Sequence, residues 1–238
     1  MSTLIIDIET VGENWEEIDE TTQKILLDRY VKHSVDLNLK EEEVAKAVKN
    51  QLGLQPFTGK IITIGALELE SKKSVIWYDP NGEKHQVEEE GKVKYIPSVE
   101  SEMLEAFWKV AVRFNTFVTF SGRGMDMPFL MLRSAINKIR PTKDLMRARY
   151  LYQQSPDAKH IDLYEQLSFY GAIYNRNGGL HLACRAFGIE SPKSDGIEGS
   201  LVGEFFRAGK TKEIAQYNAR DLVSTAKLFE VWQKYLSF

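Results

Sequence analysis

The chain has a single cysteine, Cys184, in 238 residues, so it cannot form an intrachain disulfide. That excludes a disulfide-stapled secreted scaffold and leads us to expect a reducing compartment, the cytoplasm. Four histidines are scattered, and no Cys/His spacing suits a zinc site. No apolar run is long enough to cross a bilayer, so a membrane partner is not expected. The N-terminal Met-Ser-Thr leads into a strand-like run containing acids, unlike a signal peptide. An excess of positive charge is missing too. With 31 Lys and Arg against 34 Asp and Glu, the net charge is −3, which argues against gripping nucleic acid by bulk charge.

What is present can fill a core: 43% of residues are hydrophobic and 11% aromatic. There is no internal repeat and no low-complexity linker, so one domain is expected over residues 1–238. Charge is unevenly placed. Residues 133–149, RSAINKIRPTKDLMRAR, carry six basic residues and one acid. Residues 83–105 are acidic, with EEE at 88–90. Taken alone, both segments read as solvated surface.

Strands are expected at 3–8, 60–69, 73–79 and 115–120, with an antiparallel hairpin joining the second and third. Helices are expected at 100–113, 127–139, 162–170, 179–187, 200–208 and 212–235. Strands followed by crossover helices define an α/β fold with a mixed sheet flanked by helices. Residues 11–58 separate the first two strands and read as a helical insertion. One helix is WEEIDETTQKILLDRYV; the other starts at Asn38, with Glu41 three residues on as in a capping box. Structural packing accounts for this insertion better than a lid does.

Three places carry carboxylates that need explaining. In LIIDIET, Asp7 and Glu9 sit one residue apart in an apolar strand, so both face one side. Like charges that close repel unless a cation lies between them, and magnesium and manganese favour oxygen ligands. The plainer reading is a strand end emerging into solvent. Asp126 in TFSGRGMDMPFLMLR follows a strand and a glycine-rich turn, and taken alone reads best as an N-cap. In the last helix Ile214, Tyr217, Asp221, Thr225, Leu228 and Trp232 form one mostly apolar stripe. Asp221 therefore faces inward and needs a partner, either a backbone group or a metal.

Asp7-x-Glu9, then Asp126, then Tyr217-x-x-x-Asp221 resemble, in order and on these elements, the DEDD 3′-5′ exonucleases. The tyrosine resembles their DEDDy branch. The segments HIDLYEQLSFYG, LACRAFGIESPKSDGIEGSLVGEFF and IAQYNARDL resemble stand-alone proteins related to the proofreading domain of family B DNA polymerases. This resemblance covers residues 3–10 and about 59 to the end, leaving out 11–58. It implies a ribonuclease H-like fold and two divalent cations, Mg²⁺ or Mn²⁺, roughly 4 Å apart. Asp7 would contact both, Glu9 and Asp221 would help one, and Asp126 the other through water. Tyr217 would orient the attacking water. With an ordinary pKa near 10 it is a poor base.

The implied substrate is a single-stranded 3′ end, DNA rather than RNA, with release of nucleoside 5′-monophosphates. DNA repair is the implied setting, with the polymerase or repair partner unidentified. Ser121, Arg123 and Phe129 are the expected substrate contacts. Tyr170 is a second stacking candidate, and the basic stretch 133–149 would track the strand. Lys193 and Asp195 match the family's polar loop without a catalytic role, and Asp162 reads as a helix cap or structural contact. Many relatives carry N-G-x-x-F-D where this chain has SGRGMD, so Ser121 and Met125 are departures that bear on substrate contacts. Two rivals stand beside this reading. One is an exoribonuclease. The other is a non-catalytic nucleic-acid-binding module, against which the presence of all four carboxylates argues.

Overall fold

A computed structural model describes residues 2–33, 40–173, 179–190 and 199–237. Strand β1 (Thr3–Gly12) lies inside the sheet. It pairs antiparallel with β2 (Gly59–Glu68), which pairs antiparallel with β3 (Lys73–Tyr78), giving the expected hairpin. β4 (Glu88–Glu90) and β5 (Val93–Pro97) extend that side. On the other side β6 (Thr116–Thr119) and β7 (Lys159–Asp162) run parallel to β1. The order is β4-β5-β3-β2-β1-β6-β7 in one seven-stranded mixed sheet.

Alternation along β1 sorts the two faces. Leu4, Ile6 and Ile8 pack into the core beneath α3 (Glu100–Ala111) and α4 (Asp126–Ile136). Ile5 joins the core on the opposite face, under the long α8 (Thr211–Tyr235). Asp7 and Glu9 follow Ile5 on that α8 face. A bulge lies beyond Glu9, where Glu9 pairs with Thr63 but Thr10 with Ile61, so β2 carries one extra residue, Ile62. α5 (Leu163–Leu167), α6 (Leu180–Ala186) and α7 (Val202–Arg207) precede α8 in the second half.

The insertion is helical, as expected. It contains α1 (Glu20–His33) and α2 (Glu41–Gln51), but begins later than expected because Val11 and Gly12 belong to β1. The Lys40 N–H donates to the Glu43 carboxylate at 3.0 Å, closing the first turn of α2. The expected Asn38 start lies outside the described residues, as do Lys193 and Asp195. The insertion returns to the sheet next to Glu9: the Thr10 hydroxyl donates to the Gly53 carbonyl at 2.6 Å.

Three strands were not expected, β5 among them. Inside the acidic segment, EEE forms an exposed edge strand whose Glu88 and Glu90 pair with Lys212. KHID, which ends at Asp162, forms the opposite edge strand, and the expected helix follows it as α5 with Asp162 as its cap.

Candidate active site

Asp7, Glu9 and Asp221 offer carboxylate oxygens that all lie within 4.8 Å of one another. The first two come from alternate positions of β1, the third from α8. The expected stripe on α8 is real: Ile214, Tyr217, Asp221, Thr225, Leu228 and Trp232 are all buried. Asp221 is only 8% exposed. Apolar residues of α8 dock the helix on the sheet, and that docking carries Asp221 onto the Asp7–Glu9 pair.

Asp126 is placed differently from its expected role. α4 begins at Asp126 and Met125 holds the cap position, so Asp126 is not the N-cap. Its Oδ1 accepts the N–H of Ile8 at 3.1 Å. The reason lies in the sheet. β6 pairs with β1 only as far as Ile5–Val118, so the later β1 residues have no strand on that side. A backbone donor buried there needs an acceptor, and Asp126 supplies it. This bond sets the fourth carboxylate beside the cluster, between Asp7 and Glu9 along the strand. Asp126 is outside the group of three that converge within 4.8 Å.

The electrostatics are those of crowded acids. Burial first, then Asp221, Asp126 and Glu9, raises the Asp7 pKa well above the carboxylate range. Burial, Asp221 and Asp126 do the same to Glu9. Asp126 is pushed up to about 7, mainly by burial, against the pull of backbone N–H groups including Ile8. Tyr217 is raised, by burial first and then by Asp221, Glu9 and Asp7, so its hydroxyl keeps its proton. A cluster of hard oxygen donors that resists ionisation in isolation fits a divalent cation such as Mg²⁺ or Mn²⁺.

Two supporting residues escaped the sequence reading or exceeded it. Asn218 is fully buried and its Nδ2 donates to Asp7 Oδ2 at 2.7 Å. This fixes one oxygen of Asp7, and among the described residues the other accepts no hydrogen bond. The signal was available in the glycine inside KIITIGALEL, since a strand glycine often marks close approach. Gly65 pairs with Asp7 and sits against the Asn218 amide. Asp162 caps α5 by accepting from Tyr164 N–H, and it also accepts from Ser121 N–H and Arg123 N–H, each at 2.9 Å. It thereby pins the turn that leads into Asp126. Gly122 is required within that turn, because a Cβ there would come within 2.4 Å of Thr119 Oγ1.

The expected substrate contacts change. Phe129 is 1% exposed and packs in the core with α3, so it cannot stack on a base. The Arg123 guanidinium donates to the Ala148 carbonyl at 2.9 Å, tying the basic segment to the turn that leads into Asp126. Ser121 is exposed in a left-handed conformation, φ 62°, and it is its backbone N–H that bonds Asp162. Within the basic segment, Arg133 pairs with Glu100 at 2.7 Å and Arg149 with Glu165 at 2.7 Å.

A mixed sheet with this order, an acidic pair on an inner strand and the long helix α8 closing over it, define an α/β fold of the ribonuclease H type. The chain belongs to a family described as "Predicted 3'-5' exonuclease related to the exonuclease domain of PolB", whose profile matches residues 55–237. The match starts after β1, so Asp7 and Glu9 lie outside it. Among solved structures, the family B DNA polymerase from the hyperthermophilic archaeon Pyrobaculum calidifontis is similar, with a TM-score of 0.57 at 14% identity. That likeness covers 98% of this chain and 24% of the polymerase chain. At that identity the likeness is one of fold, and this chain spans about a quarter of the polymerase. No curated protein matches the sequence. Among the described residues no helix is long and apolar enough to cross a membrane.

Proposed function

We propose that the chain is a divalent-metal-dependent 3′-5′ exonuclease acting on single-stranded ends, DNA in preference to RNA. The observation that carries this is the convergence of Asp7, Glu9 and Asp221 within 4.8 Å in a member of this exonuclease family. Asp7, Glu9 and Asp221 would hold the cations directly, and Asp126 would reach them through water. Two bound cations supply Lewis-acid activation of water and neutralise charge at the scissile phosphate.

The chain's own residues do the rest. Asn218 holds Asp7 Oδ2, so that Asp7 offers its Oδ1 in a fixed direction. Asp162 and the Ile8 N–H fix the turn and carboxylate of Asp126. Tyr217, protonated at its hydroxyl, is a donor that orients water and not a base. Water oxygen bonds to phosphorus, the bond to the 3′ oxygen breaks, and that oxygen leaves with a proton. The products are a nucleoside 5′-monophosphate and a strand shortened by one. The relation to a polymerase exonuclease domain supports DNA as substrate.

The test uses DNA and RNA of one sequence, with Mg²⁺ or Mn²⁺, for wild type and Asp7→Ala. Mononucleotides should appear faster from single-stranded DNA, and Asp7→Ala should lower the rate roughly a hundredfold or more. Equal release by both proteins contradicts the site. Faster release from RNA makes the chain an exoribonuclease, and no release from wild type makes it a binding module.

A further inference from the structure

Phe129 lies in the core, so it offers no surface for the bases upstream of the 3′ end. An exposed aromatic surface lies on the segment that Arg123 ties to the turn before Asp126. Residues 147–152 read RARYLY, and Arg147, Arg149, Tyr150 and Tyr152 are exposed. Arg123 ties this segment to the catalytic turn through the Ala148 carbonyl. From there Gln154 secures it along edge strand β7, donating to Ala148 at 3.0 Å and accepting from His160 N–H at 2.7 Å.

The tyrosines form a platform. Tyr152 is 83% exposed, and its ring stacks on Tyr150 with centroids 5.9 Å apart and planes 20° off parallel. Tyr170 closes the far side, 4.9 Å from Tyr150. Behind them lies a cavity of about 740 Å³, lined by Tyr150, Tyr152, Tyr170, Trp232 and Lys159 among others. Lys159 forms no ion pair among the described residues. An aromatic ladder that leaves a large ring in water, flanked by cations, matches the needs of a single strand: rings for bases and cations for phosphates. A single base has room in the cavity. β7 has four residues, so the cavity mouth and the catalytic turn are about 10 Å apart along the sheet edge, a few nucleotides of strand.

We propose that the Arg147–Tyr152 segment and the cavity behind it form a second binding site, which takes the single strand upstream of its 3′ end. Bases stack on Tyr152 and Tyr150, and phosphates meet Arg147 and Lys159. This deepens the exonuclease reading and rests on it. It also gives the net-negative chain a local grip on a polyanion.

The test measures binding of a fluorescein-labelled twelve-nucleotide single strand and of a dinucleotide with the same 3′ end, in Ca²⁺, by anisotropy. The same pair is then used for hydrolysis in Mn²⁺. Both variants alter exposed side chains, so folding should be spared. Tyr152→Ala should weaken twelve-mer binding roughly fivefold to a hundredfold and narrow the twelve-mer to dinucleotide ratio. Arg147→Ala should flatten the salt dependence by about 0.7 in log–log slope for each phosphate it no longer neutralises. Wild-type affinity and an unchanged length ratio in both variants overturn the second site, and this face then suits a protein partner. Lost binding with no nucleotide release by wild type keeps this site and defeats the hydrolytic reading. Release with an unaltered length ratio does the reverse.

Discussion

Gly65 leaves no room for a side chain because Asn218 fills the space: a Cβ there would lie 1.9 Å from Asn218 Oδ1. The two residues are one device, since the missing side chain on β2 lets the amide reach Asp7 across the sheet. Gly65→Ala should therefore destabilise the protein by about 1–3 kcal/mol through overpacking. Placed on Asn218→Ala, the same change should cost at least about 1 kcal/mol less, a coupling that urea melts of the four proteins would read. Additive costs would show that the two positions are independent.

Tyr217 is assigned an orienting role and not that of a ligand or base. Tyr217→Phe should lower kcat by roughly tenfold to a hundredfold through a misplaced water. Mn²⁺ affinity, measured by titration calorimetry, should change little. A large loss of affinity would make Tyr217 part of the metal site.

The metal-free protein should have an unusual pH profile. Asp126 has a folded pKa near 7, above the ordinary carboxylate value of 3.8, and Asp7 and Glu9 are raised as well. The folded state therefore binds more protons than the unfolded state between those values. Stability from these groups is fully present below about pH 4 and is lost as pH rises through 7. Melting temperatures in chelator should fall over that window, and Asp126→Asn should flatten the fall. Adding Mn²⁺ at pH 7.5 should restore the lost stability, because cation binding favours the folded state. A metal-free protein that gains stability from these groups between pH 4 and 7 would contradict the crowding.

Ser121 adopts a left-handed backbone, φ 62°, where asparagine is better tolerated. Ser121→Asn should stabilise the protein by about 0.5 kcal/mol, a small upward shift in Tm by calorimetry. A fall in Tm would mean that the serine hydroxyl has a role its surroundings do not suggest.

Much of this was legible in the chain. The alternation of LIIDIET places Asp7 and Glu9 on one face, and the period of α8 places Asp221 inward; both patterns are local. Asp126 was identified by position, but its bond to Ile8 depends on β6 ending before β1 does, a long-range fact. Phe129 was misassigned because its neighbours in sequence do not reveal that α3 covers it. EEE and KHID form edge strands, whose few residues carry too little alternation to announce themselves. Asn218 was hidden for a related reason: its partner, Gly65, is far away in sequence, and only strand pairing brings the two together.

The most direct test is anomalous scattering from crystals soaked in Mn²⁺. Two Mn²⁺ ions should appear roughly 4 Å apart, with Asp7 between them, Glu9 and Asp221 on one, and Asp126 reaching the other through water. No Mn²⁺ among these four carboxylates, or Mn²⁺ bound only elsewhere, would contradict the metal site.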